Sequence, residues 1–178
     1  MLNEKAKIEL ANWYFHQVNS YHSSSDVKIK DHIRRSLSYS WNMLGKNQIN
    51  KRLVSEKAYN KSIEIEGLNK DIRDMDWDDQ VKSPKNGGLG DIGRKIFHWE
   101  HAFTRHDFLK RILHGESNLS VQDILDVIND HQIIWILKEE NKLINLYKDS
   151  DGNRADRCRP NGWRQTYSDV GIKLVGDR

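Results

Sequence analysis

The chain has 178 residues and a formal net charge of +3, with 37% hydrophobic and 31% charged residues and a mean hydropathy of −0.83. A chain this polar that still carries 6 Trp, 6 Tyr and 4 Phe is not a disordered one, and 2 Pro exclude a proline-rich scaffold. The single cysteine, Cys158, excludes an intrachain disulfide and any cysteine-based zinc knuckle, and no apolar run nears the roughly 20 residues of a membrane span.

Residues 1–9 are charged and hold no apolar stretch of signal-peptide type, so the expectation is a soluble protein of a reducing compartment, the cytoplasm. Residues 3–20 predict a helix: Ile8, Leu10, Ala11, Trp13, Tyr14, Phe15 and Val18 form a broad apolar face, and Asn3 is the cap. A Ser-rich break follows at 21–26. Residues 27–44 predict a second helix, with Ile29, Ile33, Leu37, Trp41 and Leu44 three or four apart, and 47–63 a shorter third. The first 60 residues hold ten Lys or Arg against five Asp or Glu, so this half is basic.

The sign reverses at 67–80, where Asp71, Asp74, Asp76, Asp78 and Asp79 surround Trp77. This cluster lacks the Gly and terminal Glu of a calcium loop and reads as a solvated acidic turn. Residues 83–90, Ser-Pro-Lys-Asn-Gly-Gly-Leu-Gly, predict a loop that serves as a linker or lies close to a phosphate backbone; no Gly-Lys-Ser/Thr follows, so it is not a nucleotide-binding P-loop. The expected organisation is a helical region over 1–82 that serves DNA contact or dimerisation, the Gly-rich loop over 83–91 and a catalytic region over 92–178 with an Arg- and aromatic-rich C-terminal segment. Residues 92–104 predict a strand rich in branched and aromatic residues, 107–114 a short helix, and 120–129 a helix opened by a Ser cap and Asp123. Residues 131–137 predict a second strand, 138–148 a helix and 163–170 a last short helix. The predicted fold class is α+β, mostly helical, with a small strand–strand–helix unit.

The first predicted strand ends in Glu100-His101, and the helix after the second carries Asn141 and Asn145, four apart and so on one face. A hairpin packed on that helix would gather one imidazole, one carboxylate and two amide oxygens. That set suits metal-assisted phosphodiester hydrolysis. Mg²⁺, or Mn²⁺, takes oxygen ligands and stabilises charge on the leaving group, while a neutral His accepts the proton of the attacking water. His98, two residues before Glu100 and on the opposite face from Trp99, is either a second ligand or, the preferred reading, a chance neighbour of the set, and His106 and His114 read as parts of a solvated helix face.

Glu100-His101 after a strand, followed by a second strand and an Asn-bearing helix, resembles the HNH, or ββα-metal, nucleases over about residues 92–148. The resemblance implies that the catalytic region is ββα-metal-like, that His101 is the general base, Glu100 a metal ligand, and Asn141 or Asn145 the helix ligand. The sequence departs from the family pattern where Ala102-Phe103-Thr104 follows the His, in place of two apolar residues and a Pro, and in the residues inserted between the strands. A restriction-type core, with Asp91 ahead of Glu100, is the weaker match because Ala102 stands where that pattern has Lys.

Residues 154–167 hold Arg154, Arg157, Arg159, Trp163, Arg164 and Tyr167, a set that can clamp phosphates and stack on bases. The sequence thus predicts a metal-dependent DNA endonuclease, acting as a homodimer because one small site cuts one strand. The alternative is a non-catalytic nucleic-acid-binding or host-interaction protein.

Overall fold

The computed structural model describes residues 2–46, 50–114, 119–152, 154 and 162–176. In chain order its elements are α1 (Glu4–Ser23), α2 (Val27–Lys46), β1 (Leu53–Val54), α3 (Glu56–Ile63), β2 (Phe97–His101), α4 (Arg105–Leu113), α5 (Val121–Asn129), β3 (Ile133–Leu137), α6 (Lys138–Leu146) and α7 (Trp163–Asp169). Short 3₁₀ turns occupy Ile72–Asp74, Trp77–Gln80 and Pro84–Asn86. The fold is α+β and mostly helical, as the pattern predicted. The chain divides into two compact units, one of residues 1–50 and 103–132, the other of 51–102 and 133–178. The division does not run through the Gly-rich loop, as the composition suggested: each unit takes two separate stretches of chain.

The first unit is all helix. Ala11, Tyr14 and Val18 of α1 and Ile33, Leu37, Trp41 and Leu44 of α2 are buried, as their spacing requires. Trp41 stacks on Phe108 with centroids 4.8 Å apart and meets the His131 ring edge-on at 4.2 Å. Tyr14 shares a 2.8 Å hydrogen bond with Ser40, and burial pushes its phenol up to about 12. Lys7, nearly buried, donates to the Asn129 and Asn50 side chains at 3.2 and 3.3 Å. The apolar side of α1 is therefore largely used inside the unit, and Trp13 alone of its aromatics is notably exposed, at 38%.

The second unit is built on a three-stranded sheet in the order β1-β3-β2, with β1 parallel and β2 antiparallel to β3. The third helix expected over 47–63 is shorter at its start. Leu53-Val54 pairs with Ile134 and Trp135 as a strand, and the Ser55 hydroxyl then caps α3 by accepting from the Ala58 N–H at 3.1 Å. One sheet face buries Val54, Phe97, Trp99, Ile133 and Trp135 with Ala58, Ile72, Met75 and Leu89. The other buries Ile134 and Ile136 with Ala102, Ile144, Tyr167 and Ile172.

The Gly-rich segment is pinned into this unit and is neither a free linker nor a phosphate cradle. Its amides are spent internally: Gly88 donates to Ser83, Leu89 to Asp79, Gly90 to Lys82 and Asp91 to Gln80, at 2.8–3.1 Å. A Cβ on Gly88 would stand 2.4 Å from the carbonyl oxygens of Asp79 and Lys82, so only glycine passes there. The acidic cluster is paired rather than merely solvated. Asp79 accepts from Lys70 and Lys82, Asp71 from Arg73, and Asp76 from Arg52, whose guanidinium is 2% exposed and lies 4.5 Å from the Trp99 ring centroid.

Candidate functional site

The register of β2 against β3 decides which polar side chains can meet. Phe97 stands opposite Leu137, His98 opposite Ile136, Trp99 opposite Trp135, Glu100 opposite Ile134 and His101 opposite Ile133. Opposed residues of an antiparallel pair share a face, and neighbours along a strand alternate. His98 and Glu100 therefore leave the sheet on the Ile134–Ile136 side, the side that Ile144 of α6 covers. His101 leaves on the Ile133–Trp135 side. The structure brings Glu100, but not His101, to the face of α6, so the imidazole expected beside Asn141 or Asn145 is not the one at 101.

Its place is taken by His98. The ring's Nε2 lies 3.1 Å from Glu100 Oε2, and its Nδ1 lies 3.2 Å from the Nζ of Lys138, the first residue of α6. A lysine ammonium has only hydrogens to give. Nδ1 therefore accepts from Lys138, and Nε2 carries the ring proton and donates it to Glu100. The trio is partly shielded, with the His98 and Glu100 side chains 21% and 12% exposed. Two local rules build it. Alternation puts residues 98 and 100 on one face, and α6 starts directly at the end of β3, with the Lys138 N–H donating to the Ile96 carbonyl at 2.8 Å.

Along α6, Lys138, Asn141 and Asn145 follow at i, i+3 and i+7 and so share one flank. Because Lys138 reaches His98, that flank is the one above β2. Glu140 lies on the opposite flank and reaches Ser55 at the end of β1. Asn141 is half-buried and Asn145 exposed. The amides expected to serve as ligands thus stand on the side of Glu100 and His98.

Burial holds the His101 imidazole below its ordinary 6.5; the charge of Glu100 opposes the shift and His98 adds to it. The unfolded chain takes the proton near 6.5 and the folded one resists it, so the stability linked to His101 is full above that value and is lost as the pH falls below it. Replacing His101 with Gln should flatten the fall in urea midpoint between about pH 8 and about pH 5 relative to wild type. Parallel curves for the two proteins would refute the assignment.

The other expected residues separate. Asp91, the leading acid of the restriction-type reading, is 3% exposed and committed to structure. It accepts from Gln80 Nε2 and from the amides of Lys95, Ile96 and Phe97 at 2.8–3.1 Å. Burial raises its carboxyl, but these hydrogen bonds outweigh burial and hold it below the usual range. Tyr167 is 1% exposed within the core under α7, so it has no face to offer a base. Trp163 is half-buried, with the Arg164 guanidinium 4.1 Å from its ring centroid, and both line a cleft of about 440 Å³ with Glu56 and Lys173. Arg154 is exposed, and its backbone pairs with that of Lys148 as an isolated antiparallel β-bridge. Arg157 and Arg159 lie outside the described residues.

Among the described residues no group of three or more His, Cys, Asp or Glu stands together as a metal site, and no helix is long and apolar enough to cross a membrane. The donor set beside α6 is one carboxylate and two amides. It fits only a magnesium ion that keeps most of its waters or borrows oxygens from substrate phosphate. Lys138 escaped notice in the sequence because a charged residue opening a helix is ordinary. No known protein family, curated protein or solved structure matches the chain.

Proposed function

We propose that the chain is a nuclease that hydrolyses DNA phosphodiester bonds, with the Glu100–His98–Lys138 cluster as its reaction centre. The observation that carries this reading is the pair of hydrogen bonds that fixes His98 between a carboxylate and an ammonium on the strand–strand–helix unit. When a substrate phosphate draws the Lys138 ammonium to itself, the Nδ1 lone pair is released. His98 Nδ1 then takes a proton from water while Nε2–H stays on Glu100, which steadies the imidazolium that forms. The water oxygen bonds to phosphorus, the bond to the 3′ oxygen breaks, and that oxygen takes a proton from solvent. The products are a 5′-phosphate and a 3′-hydroxyl. Lys138 offsets the charge gathering on the phosphoryl oxygens. Glu100 and the Asn141 or Asn145 amide would hold a magnesium ion, and when bound it would supply charge neutralisation for the departing group.

The test is plasmid nicking with Mg²⁺, with Mn²⁺ and with EDTA. Nicking with either ion and none with EDTA is expected, and no cleavage under any condition sinks the proposal. A second reading, a nucleic-acid binder without catalysis, predicts duplex binding and no cleavage. Cutting both strands asks for two copies of one small site, so a homodimer on DNA is part of the proposal. Light scattering of the protein with a short duplex should give two chains per duplex, and one chain per duplex removes that part.

A further inference from the structure

The helical unit carries a second basic cluster, apart from the residues of the proposed reaction centre. Arg34, Arg35 and Ser38 of α2 and Arg105, His106 and Leu109 of α4 line a cleft of about 340 Å³. Each helix contributes residues at i, i+1 and i+4, so the two faces match. Three guanidiniums, an imidazole and a hydroxyl are all able to donate to an oxyanion, and Arg presents a planar fork that fits phosphate. The acid at this site is Asp31, which accepts from Arg34 at 3.1 Å and Arg35 at 2.8 Å and so leaves positive charge in excess.

The start of α4 adds an independent sign. Helices favour acids in their first turn, because the unpaired N–H groups there carry positive charge. In α4 that turn holds Asp107, which is bonded to the Thr104 cap, and ahead of it Arg105 and His106, which make no hydrogen bond or ion pair with any described residue. Asp107 meets the dipole in part, whereas the Arg105 cation ahead of it opposes the dipole, a local cost that a bound anion would offset.

From this cleft the geometry points to a docking site for backbone phosphates of duplex nucleic acid, an inference that rests on the nuclease reading for its choice of polymer. The Arg34 and Arg35 side chains remain 54% and 76% exposed. A pocket for a free small molecule encloses most of its ligand; this surface instead fits a phosphate whose chain continues outside it.

The test uses the full chain in EDTA, where binding is read without cleavage. Affinity for a short labelled DNA duplex is measured by anisotropy over a salt series. Wild type stands beside Arg35→Gln/Arg105→Gln and beside a control pair outside the cleft, Lys5→Gln/Lys28→Gln. The cleft pair should weaken binding about tenfold at low salt and make the log–log salt slope shallower by about two, while the control pair shifts affinity by no more than about twofold. Melting without ligand checks that the variants fold, and an Arg105→Lys variant should be intermediate because it keeps the charge and loses the fork. Equal losses in the two pairs would show generic charge and overturn the inference. So would inorganic phosphate raising the melting midpoint of wild type alone while duplex affinity is unchanged in the cleft pair, since the site would then serve a free phosphate. A protein that binds duplex through the cleft yet never cuts leaves this inference standing and removes the nuclease reading alone.

Discussion

Replacing His98 with Ala should lower plasmid cleavage about 10²- to 10³-fold, the usual loss when a general base is removed, with duplex affinity in EDTA unchanged. Replacing His101 with Gln should leave cleavage within about threefold of wild type, since the ring on the far face acts on no substrate in this scheme. The contrast arises from one register: His98 opposes Ile136 and faces α6, whereas His101 opposes Ile133 and faces away. Lys138→Ala is a subtler variant. It removes the ammonium that offsets phosphoryl charge but also frees Nδ1 of His98 in the resting protein. Activity should fall about tenfold to a hundredfold, and Lys138→Arg should recover part of it because the charge survives in a different shape. If His101→Gln abolishes cleavage at unchanged stability while His98→Ala keeps it, the reaction centre lies on the Trp99 face and the present assignment is overturned.

How far the sequence could anticipate this is visible in particular residues. The 3.6-residue spacing of Ile33, Leu37, Trp41 and Leu44 predicted the buried face of α2, and the Ser120 and Asp123 pair predicted the start of α5, because helix periodicity and capping are local. The strand–strand–helix order of β2, β3 and α6 was legible for the same reason. Which imidazole faces the helix was not. That choice depends on the partner strand, and a shift of one residue exchanges faces. The alternation of His98 and Glu100 did carry the signal, since residues two apart on a strand share a side. The adjacency of Glu100 and His101, which carried the family resemblance, works against a shared face within a regular strand. Burial of Tyr167 was hidden likewise: an aromatic beside arginines reads as a base-stacking residue until the packing beneath α7 is known. The two-unit division was illegible in principle, because each unit joins stretches far apart in sequence.

The largest stability effect should come from Glu140, which the sequence marks only as the second of two acids opening a helix. The carboxylate is 2% exposed and its Oε2 accepts from the Ser55 hydroxyl at 2.6 Å and from the Leu137 amide at 2.8 Å. Ser55 in turn accepts from Ala58 N–H, so one oxygen joins the end of β1, the cap of α3 and the first turn of α6. Glu140→Ala leaves the buried Ser55 hydroxyl and the half-buried Leu137 amide without their acceptor, each costing about 1–3 kcal/mol, and opens a cavity besides, so a loss of about 3–5 kcal/mol is expected. Glu140→Gln keeps the size, and its amide oxygen in the place of Oε2 still accepts from both Ser55 and Leu137 while the charge is lost; a loss of about 1 kcal/mol is expected. Urea unfolding of Ser55→Ala, Glu140→Ala and the double variant forms a cycle in which the coupling should be about 1–2 kcal/mol, because either single change removes the same hydrogen bond. A coupling near zero would mean the two side chains act independently and would detach the start of α6 from β1. Since that start carries Lys138, the same change should also lower cleavage in Glu140→Ala beyond the fraction unfolded, while Glu140→Gln retains it.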